Sequence, residues 1–167
     1  MGWNELLHEN LNPQVAVQFW RGEKKKMISE IRNGRKTVLS NYDAYYLDHT
    51  YTHSALDKVY SHEAVPAGLE DHFHENILGI EAPLWTEFVP NRARLDWQIF
   101  PRLFAIAESA WLSPQKKDYV LFRKRLQPSL TQMDQSGIGY APLSAAEPPG
   151  FQRLWGLFSL FQEGKQT

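Results

Sequence analysis

No cysteine occurs anywhere in the 167 residues, which excludes a thiol nucleophile, a cysteine-ligated zinc and disulfide staples. Cysteine content alone does not separate one cellular compartment from another. An excess of one charge sign is also lacking. Eighteen Lys and Arg against 19 Asp and Glu give a net charge of −1, and the two signs are interleaved along the chain. There is no basic footprint for nucleic acid or for an anionic membrane surface, and neither partner is expected. No apolar run approaches the roughly 20 residues of a membrane span, and the opening MGWNELLHEN is not a basic start followed by an apolar core. The sequence thus shows no transmembrane segment and no signal peptide, and localisation is left undetermined. Histidines 49, 53, 62, 72 and 74 share no metal-ligand spacing, which favours loop or solvent roles over a metal site. No cofactor is expected.

What the chain does have is aromatic surface: 13% of its residues, six of them Trp, in a length that suits one packed domain. Large aromatics are mostly core material. Trp97 and Trp111 fall within helical patterns and are expected there, Trp155 reads as an anchor for the tail, and Glu108 as a structural acid. The remaining tryptophans are judged by their place along the chain.

Alternation of strand and helix signals runs through the sequence. PQVAVQFW, Pro13 to Trp20, reads as a strand. A helix follows, with Met27, Ile28 and Ile31 on one face and Asn33-Gly34 as its stop. RKTVLSN reads as a second strand, residues 42 to 54 as a long polar and aromatic loop, and ALDKVYSHEAVPAGL as a short helix broken near Pro66. ENILGIEAPLW reads as a third, buried strand. From Arg92 to Trp111 the pattern is amphipathic, with Pro101 as a kink or a junction of two helices. Ser113-Pro114 is expected to cap a further helix that runs to Gly137, and the last stretch, 143–167, is a tail with an apolar, helix-like run.

This rhythm predicts an α/β fold with a parallel sheet, in which chemistry gathers at the carboxyl ends of the strands. Trp20, the segment from Tyr42 to Asp48, and Trp85 to Glu87 all follow expected strands, so they should converge on one face. Trp85 with Glu87, and Tyr46 with Asp48, place an aromatic ring and a carboxylate two positions apart, on one side of an extended backbone. A sugar needs such a set: a ring for its apolar face and acceptors for its hydroxyls. A structural network of core aromatics with satisfied carboxylates would use the same residues.

Five segments in order, GWNELL at 2–7, VQFWRG at 17–22, YYLDH at 45–49, ILGIEAPLWTE at 77–87 and FPRLFAIAESAW at 100–111, resemble the carboxyl-terminal half of the catalytic barrel of family 20 glycoside hydrolases, the β-N-acetylhexosaminidases. The resemblance covers about residues 2 to 142. It implies a partial (β/α)8 TIM barrel, roughly strands six to eight with their helices, over 1–142; a full barrel needs roughly 250 residues. Met1 is then expected to be an interior strand residue, and the chain half an enzyme, as a gene fragment or a truncation would be.

The reaction the resemblance implies is substrate-assisted and retaining, with the substrate's own 2-acetamido oxygen as nucleophile. The Asp-Glu pair that orients the acetamide and protonates the leaving oxygen lies upstream in the family and is not in this sequence, nor is the family's arginine for the 3- and 4-hydroxyls. Trp3, Trp20 and Trp85 match the indoles that box the acetamido group. Tyr46 matches the phenol that orients its oxygen, and Asp48 and Glu87 the acids for the 4- and 6-hydroxyls. The family needs no metal. Asn4 stands where the family usually has Asp, an exchange expected to affect packing more than chemistry. The implied partners are N-acetylhexosamine-containing glycans and either the missing amino-terminal half of the barrel or a second copy of the chain. The isolated chain is expected to be inactive. A non-catalytic sugar- or partner-binding half barrel, and an unrelated α/β domain with core aromatics, stay open beside this reading.

Overall fold

The computed structural model describes residues 1–8 and 10–153. Four short strands, β1 (Gly2–Trp3), β2 (Val17–Phe19), β3 (Thr37–Leu39) and β4 (Ile77–Ile80), form one sheet in chain order. Every pairing is parallel, with Trp3 opposite Gln18, Phe19 opposite Leu39, and Leu39 opposite Ile80. Helix α1 (Lys24–Arg32) returns β2 to β3, while α2 (Tyr42–Tyr45) and α3 (Leu56–Ser61) lie between β3 and β4. Beyond the sheet come α4 (Arg92–Ile99), α5 (Arg102–Trp111), α6 (Tyr119–Gln135) and α7 (Leu143–Ala146). Parallel strands joined by crossovers are the α/β architecture expected from the alternation of patterns.

Two apolar clusters hold these elements. Leu7, Val17, Phe19 and Leu39, with Met27 and Ile80 against them, join the sheet to α1. The larger cluster is helical: Leu56, Val59 and Tyr60 of α3 meet Ala105 and Ile106 of α5 and Phe122, Leu126, Leu130 and Met133 of α6. Spacings of three and four along α6 put those four side chains on one face, which is why that helix packs as it does. Ala141 and Ala146 are buried in the same cluster, so the described chain just after Pro142 continues the packing of the helices before it.

The sheet also carries a β-bulge. Thr37 pairs with Ile77 but Val38 with Gly79, so Leu78 has no opposite residue and stands 58% exposed. Gly79 absorbs the irregularity at φ +143°, a conformation that L side chains rarely adopt.

Several local expectations are met. Helix α1 stops at Asn33 with Gly34 at φ +87°, and Pro101 separates α4 from α5. Others are corrected. A fourth strand, β1, occupies the Gly-Trp pair, and it reaches β2 through a 3-10 turn and loop with no α-helix. The segment after β3, expected as a long polar and aromatic loop, opens with the one-turn helix α2 and continues in turns, and it buries Tyr45, Leu47 and Tyr51 against the helical cluster. Ser113-Pro114 opens only a 3-10 turn, Pro114–Lys116; α6 begins at Tyr119, where the Asp118 carboxylate accepts from the Leu121 N–H at 2.9 Å. Trp97 packs against the core, but Trp111, at the last turn of α5, is 90% exposed. Trp155 and most of the tail lie outside the described residues. Among the described residues no helix is long and apolar enough to cross a membrane.

Candidate functional site

The carboxyl ends of the strands are drawn together by backbone hydrogen bonds that continue the ladder past the strands. Ser40 N–H donates to Phe19 O at 2.9 Å, Tyr42 N–H to Trp20 O at 2.8 Å, and Leu47 N–H to Pro83 O at 2.8 Å. These bonds bring the residues after β2, β3 and β4 together, and the Trp20 N–H, donating to the Asn4 side chain at 3.1 Å, ties in the turn after β1. There Trp3, Trp20, Tyr46 and Trp85, with Gly2, Glu5 and Leu6, line a cavity of about 530 Å³, within the usual range of roughly 300–1,000 Å³ for small-molecule pockets.

Its walls are mutually oriented rings. Trp3 meets Trp20 edge-on at 6.4 Å between centroids and leans against Trp85 at 6.0 Å. Trp20 stacks on Tyr46 at 5.8 Å, and Tyr42 packs behind both, 5.6 Å from Trp20 and 5.2 Å from Tyr46. Tyr46 is 4% exposed and Trp85 47%, so the cavity has a closed phenol side and an open indole side. Burial raises the pKa of the Tyr46 hydroxyl, opposed by the Trp85 side chain as a hydrogen-bond donor and reinforced by Asp48. The phenol therefore stays protonated and can donate.

Of the six residues singled out in the sequence, the four aromatics line this cavity; Asp48 and Glu87 do not. The extended backbone assumed for the two aromatic–acid pairs is not what forms. Asp48 lies in a turn after Tyr46, and Glu87 is exposed on the 3-10 turn Thr86–Phe88. Burial lifts the Asp48 carboxyl above the usual carboxylate range, while its own backbone N–H, the Arg102 guanidinium and the Trp85 backbone N–H pull it back down. Asn4 uses its side chain on backbone only, accepting from Trp20 N–H and donating to Arg21 O, each at 3.1 Å.

What the sequence did not single out is the support behind the Tyr46–Asp48 turn. Arg102 is fully buried, and its guanidinium donates to Leu47 O at 2.6 Å and His49 O at 2.8 Å. The buried Gln98 amide donates to Asp48 O at 2.9 Å. Three consecutive carbonyls of the turn are thus held from α4 and α5. Arg102 also takes the Gln98 carbonyl at the end of α4 at 2.6 Å and lies 4.3 Å over the Tyr51 ring. The signal was present as an arginine inside the apolar run FPRLFAIA.

On the far side of the aromatic wall, His49 and His53 lie 4.3 Å apart with Tyr42 edge-on to His49 at 4.4 Å. Burial depresses both to about 4 from the usual 6.5; Arg102 and Lys58 add to the effect at His49, His49 and Lys58 at His53, and Asp43 opposes it at each. Both rings are neutral near pH 7. Among the described residues no group of three or more His, Asp or Glu could hold a metal ion.

Three indoles and a buried phenol thus meet at the strand ends of a parallel α/β sheet. The sequence model of the glycosyl hydrolase family 20 catalytic domain matches residues 1–114, and the chain belongs to that family. It is 32% identical over 161 residues to a β-hexosaminidase of Porphyromonas gingivalis, covering 90% of this chain and 21% of that protein. It is 27% identical to a β-N-acetylhexosaminidase of Cellulomonas fimi, of which it covers 33%. Among solved structures, it superposes on an exo-β-N-acetylglucosaminidase of Vibrio harveyi in complex with N-acetylglucosamine with a TM-score of 0.77 at 30% identity, over 85% of this chain and 24% of that one. A mutant β-hexosaminidase of Streptomyces plicatus, in complex with its product N-acetylglucosamine, matches with a TM-score of 0.67 at 29% identity, over 80% of this chain and 30% of that one. The chain thus spans a fifth to a third of the length of these relatives and corresponds to part of their catalytic domain. Family membership removes the reading of an unrelated α/β domain.

Two predictions follow from the support of the site. Arg102→Lys keeps the charge but cannot span Leu47 O, His49 O and Gln98 O; since each buried acceptor left unpaired costs about 1–3 kcal/mol, urea denaturation should show a loss of about 2–4 kcal/mol. A loss below about 0.5 kcal/mol, the scale of a neutral surface change, would contradict the role given to Arg102. The histidines give the second. Between pH 6.5 and about 4 they are protonated in the unfolded chain and neutral in the fold, so stability falls as pH drops through that window. The double variant His49→Asn, His53→Asn should show a shallower fall in denaturation midpoint over the same range, and an equal slope would count against the assignment.

Proposed function

We propose that the aromatic cavity holds the terminal N-acetylhexosamine of a glycan, and that the chain supplies the sugar-pocket part of a β-N-acetylhexosaminidase barrel. The observation that carries this is the convergence of Trp3, Trp20, Tyr46 and Trp85, from the ends of four successive parallel strands, on one cavity. Structures of two relatives hold N-acetylglucosamine, which supports the same ligand class for this pocket.

On this reading residues 1–142 are the carboxyl-terminal half of the barrel, followed by the tail 143–167. β1 is the end of the fifth strand and β2 to β4 are strands six to eight. The outer edges of β1 and β4 are where the amino-terminal half, or a second copy of the chain, would pair. The indoles box the acetamido methyl and the apolar face of the ring. The Tyr46 hydroxyl donates to the acetamido oxygen and holds it beneath the anomeric carbon, where it attacks as the glycosidic bond breaks and an oxazolinium forms. Asp48 and Glu87 accept from the 4- and 6-hydroxyls. The acid that protonates the leaving oxygen and the Asp that orients the acetamide come from the amino-terminal half, so the chain alone is inactive.

The test uses the chain joined to an amino-terminal half that carries the Asp-Glu pair. Tyr46→Phe keeps the ring but removes a donor that works hardest in the transition state, so kcat should fall on the order of 10²-fold with KM changed much less. Glu87→Gln should act mainly on KM, because a hydroxyl contact present before and during reaction contributes uniform binding. If Tyr46→Phe leaves kcat within about twofold of the parent, well short of the scale for one preorganised donor, the phenol does not hold the acetamide.

A further inference from the structure

Among its described lining residues the cavity has one formal charge, Glu5, and neither the strand-end pattern nor the proposed sugar contacts use it. Glu5 lies on the 3-10 turn Asn4–Leu6 that follows β1. Its Oε1 accepts from the Trp20 indole N–H at 2.7 Å, a charge-assisted bond that spans 15 residues of sequence. The neighbouring Asn4 grips the same tryptophan by its backbone, at Trp20 N–H and Arg21 O. The Arg21 guanidinium covers the ring 4.0 Å from its centroid. Backbone, ring edge and ring face of Trp20 are therefore each held by a different group.

A tryptophan at a strand end has two side-chain torsions, and the second is broad, so the orientation of the indole is set by what its faces and edges meet. Turning it would change which edge faces the cavity. It would also break the stacked arrangement with Tyr46 at 5.8 Å and the edge contact with Trp3 at 6.4 Å. The indole N–H is the ring's one hydrogen-bond donor, so a fixed acceptor for it selects one orientation of the ring, and Glu5 is that acceptor.

We infer that Glu5 is a positioning residue of this pocket: its carboxylate sets the plane of the Trp20 indole, and through it the width of the cavity between Trp20 and Tyr46. The consequence for sugar binding rests on the N-acetylhexosamine reading of the cavity; the brace itself does not.

The experiment is 15N NMR of the chain as it stands, with the Trp20 indole signal identified by its absence in Trp20→Phe. In the parent the Trp20 indole proton should lie downfield of that of exposed Trp111 and exchange slowly with water. Glu5→Ala should move it toward the Trp111 position and speed its exchange roughly tenfold or more, the scale of one charge-assisted hydrogen bond. Glu5→Gln, which keeps an acceptor oxygen, should restore most of both effects. A Trp20 signal unmoved by Glu5→Ala, or moved equally by Gln and Ala, overturns the inference. Adding N-acetylglucosamine to the parent should perturb the Trp3, Trp20 and Trp85 indole signals together, with half-saturation about tenfold higher in Glu5→Ala for loss of that bond. If the indole responds to Glu5→Ala but no signal responds to the sugar, the positioning role stands and the sugar reading falls. If the sugar binds the parent and Glu5→Ala equally well, Glu5 does not shape the pocket.

Discussion

The buried guanidinium of Arg102 is the contact on which the site depends. A charge with no exposed surface is tolerated only where its donors find acceptors, and Arg102 finds them in the turn that carries Tyr46 and Asp48 and in the Gln98 carbonyl in the last turn of α4. Turns are ordinarily the variable part of a structure. Here one is fixed from behind by two helices, with Gln98 taking the carbonyl that Arg102 leaves. The opposite charge that Arg102 feels across the turn is the Asp48 carboxylate, so the group that locks the loop also keeps an otherwise desolvated acid closer to ionised. Packing of α4 and α5 is thereby converted into the position of a phenol in the cavity.

The fold was legible where one residue type dictates the outcome. Apolar, β-branched runs bounded by turn residues gave β2, β3 and β4, and Asn33-Gly34 ended α1 because the chain needs a positive φ at Gly34. Legibility failed where tertiary contacts decide. The residues after β3 are a mixture of polar and aromatic, and Tyr45, Leu47 and Tyr51 are recruited by a helical cluster whose members on α5 and α6 lie over 50 residues later in the sequence. Trp111 continues a helical pattern past the point where the helix has anything left to pack against. Ser113-Pro114 carries a good capping signal, but Asp118 supplies the cap that is used.

In the candidate site, position after the strands pointed to Trp20, Tyr46 and Trp85, because parallel strands deliver their carboxyl ends to one face whatever the intervening chain does; Trp3, in the same cavity, was singled out only by the family resemblance. The supporting polar groups could not be read in the same way. Gln98, Arg102 and Glu5 act through hydrogen bonds to residues 15 to 55 positions away, and no local periodicity encodes such a partner. The extended backbone assumed for the aromatic–acid spacing of two does not form, since the backbone turns directly after each ring, and the rings line the cavity while the acids stand outside its lining.

The account's central claim is that the indole box recognises an acetamido group. Saturation-transfer NMR on the chain with N-acetylglucosamine and, separately, glucose tests this most directly. The account predicts that the acetamido methyl protons receive the strongest saturation and that glucose receives little, because the aromatic walls enclose the methyl and the phenol addresses its carbonyl. Equal transfer to glucose, or no transfer to the methyl group, would contradict it.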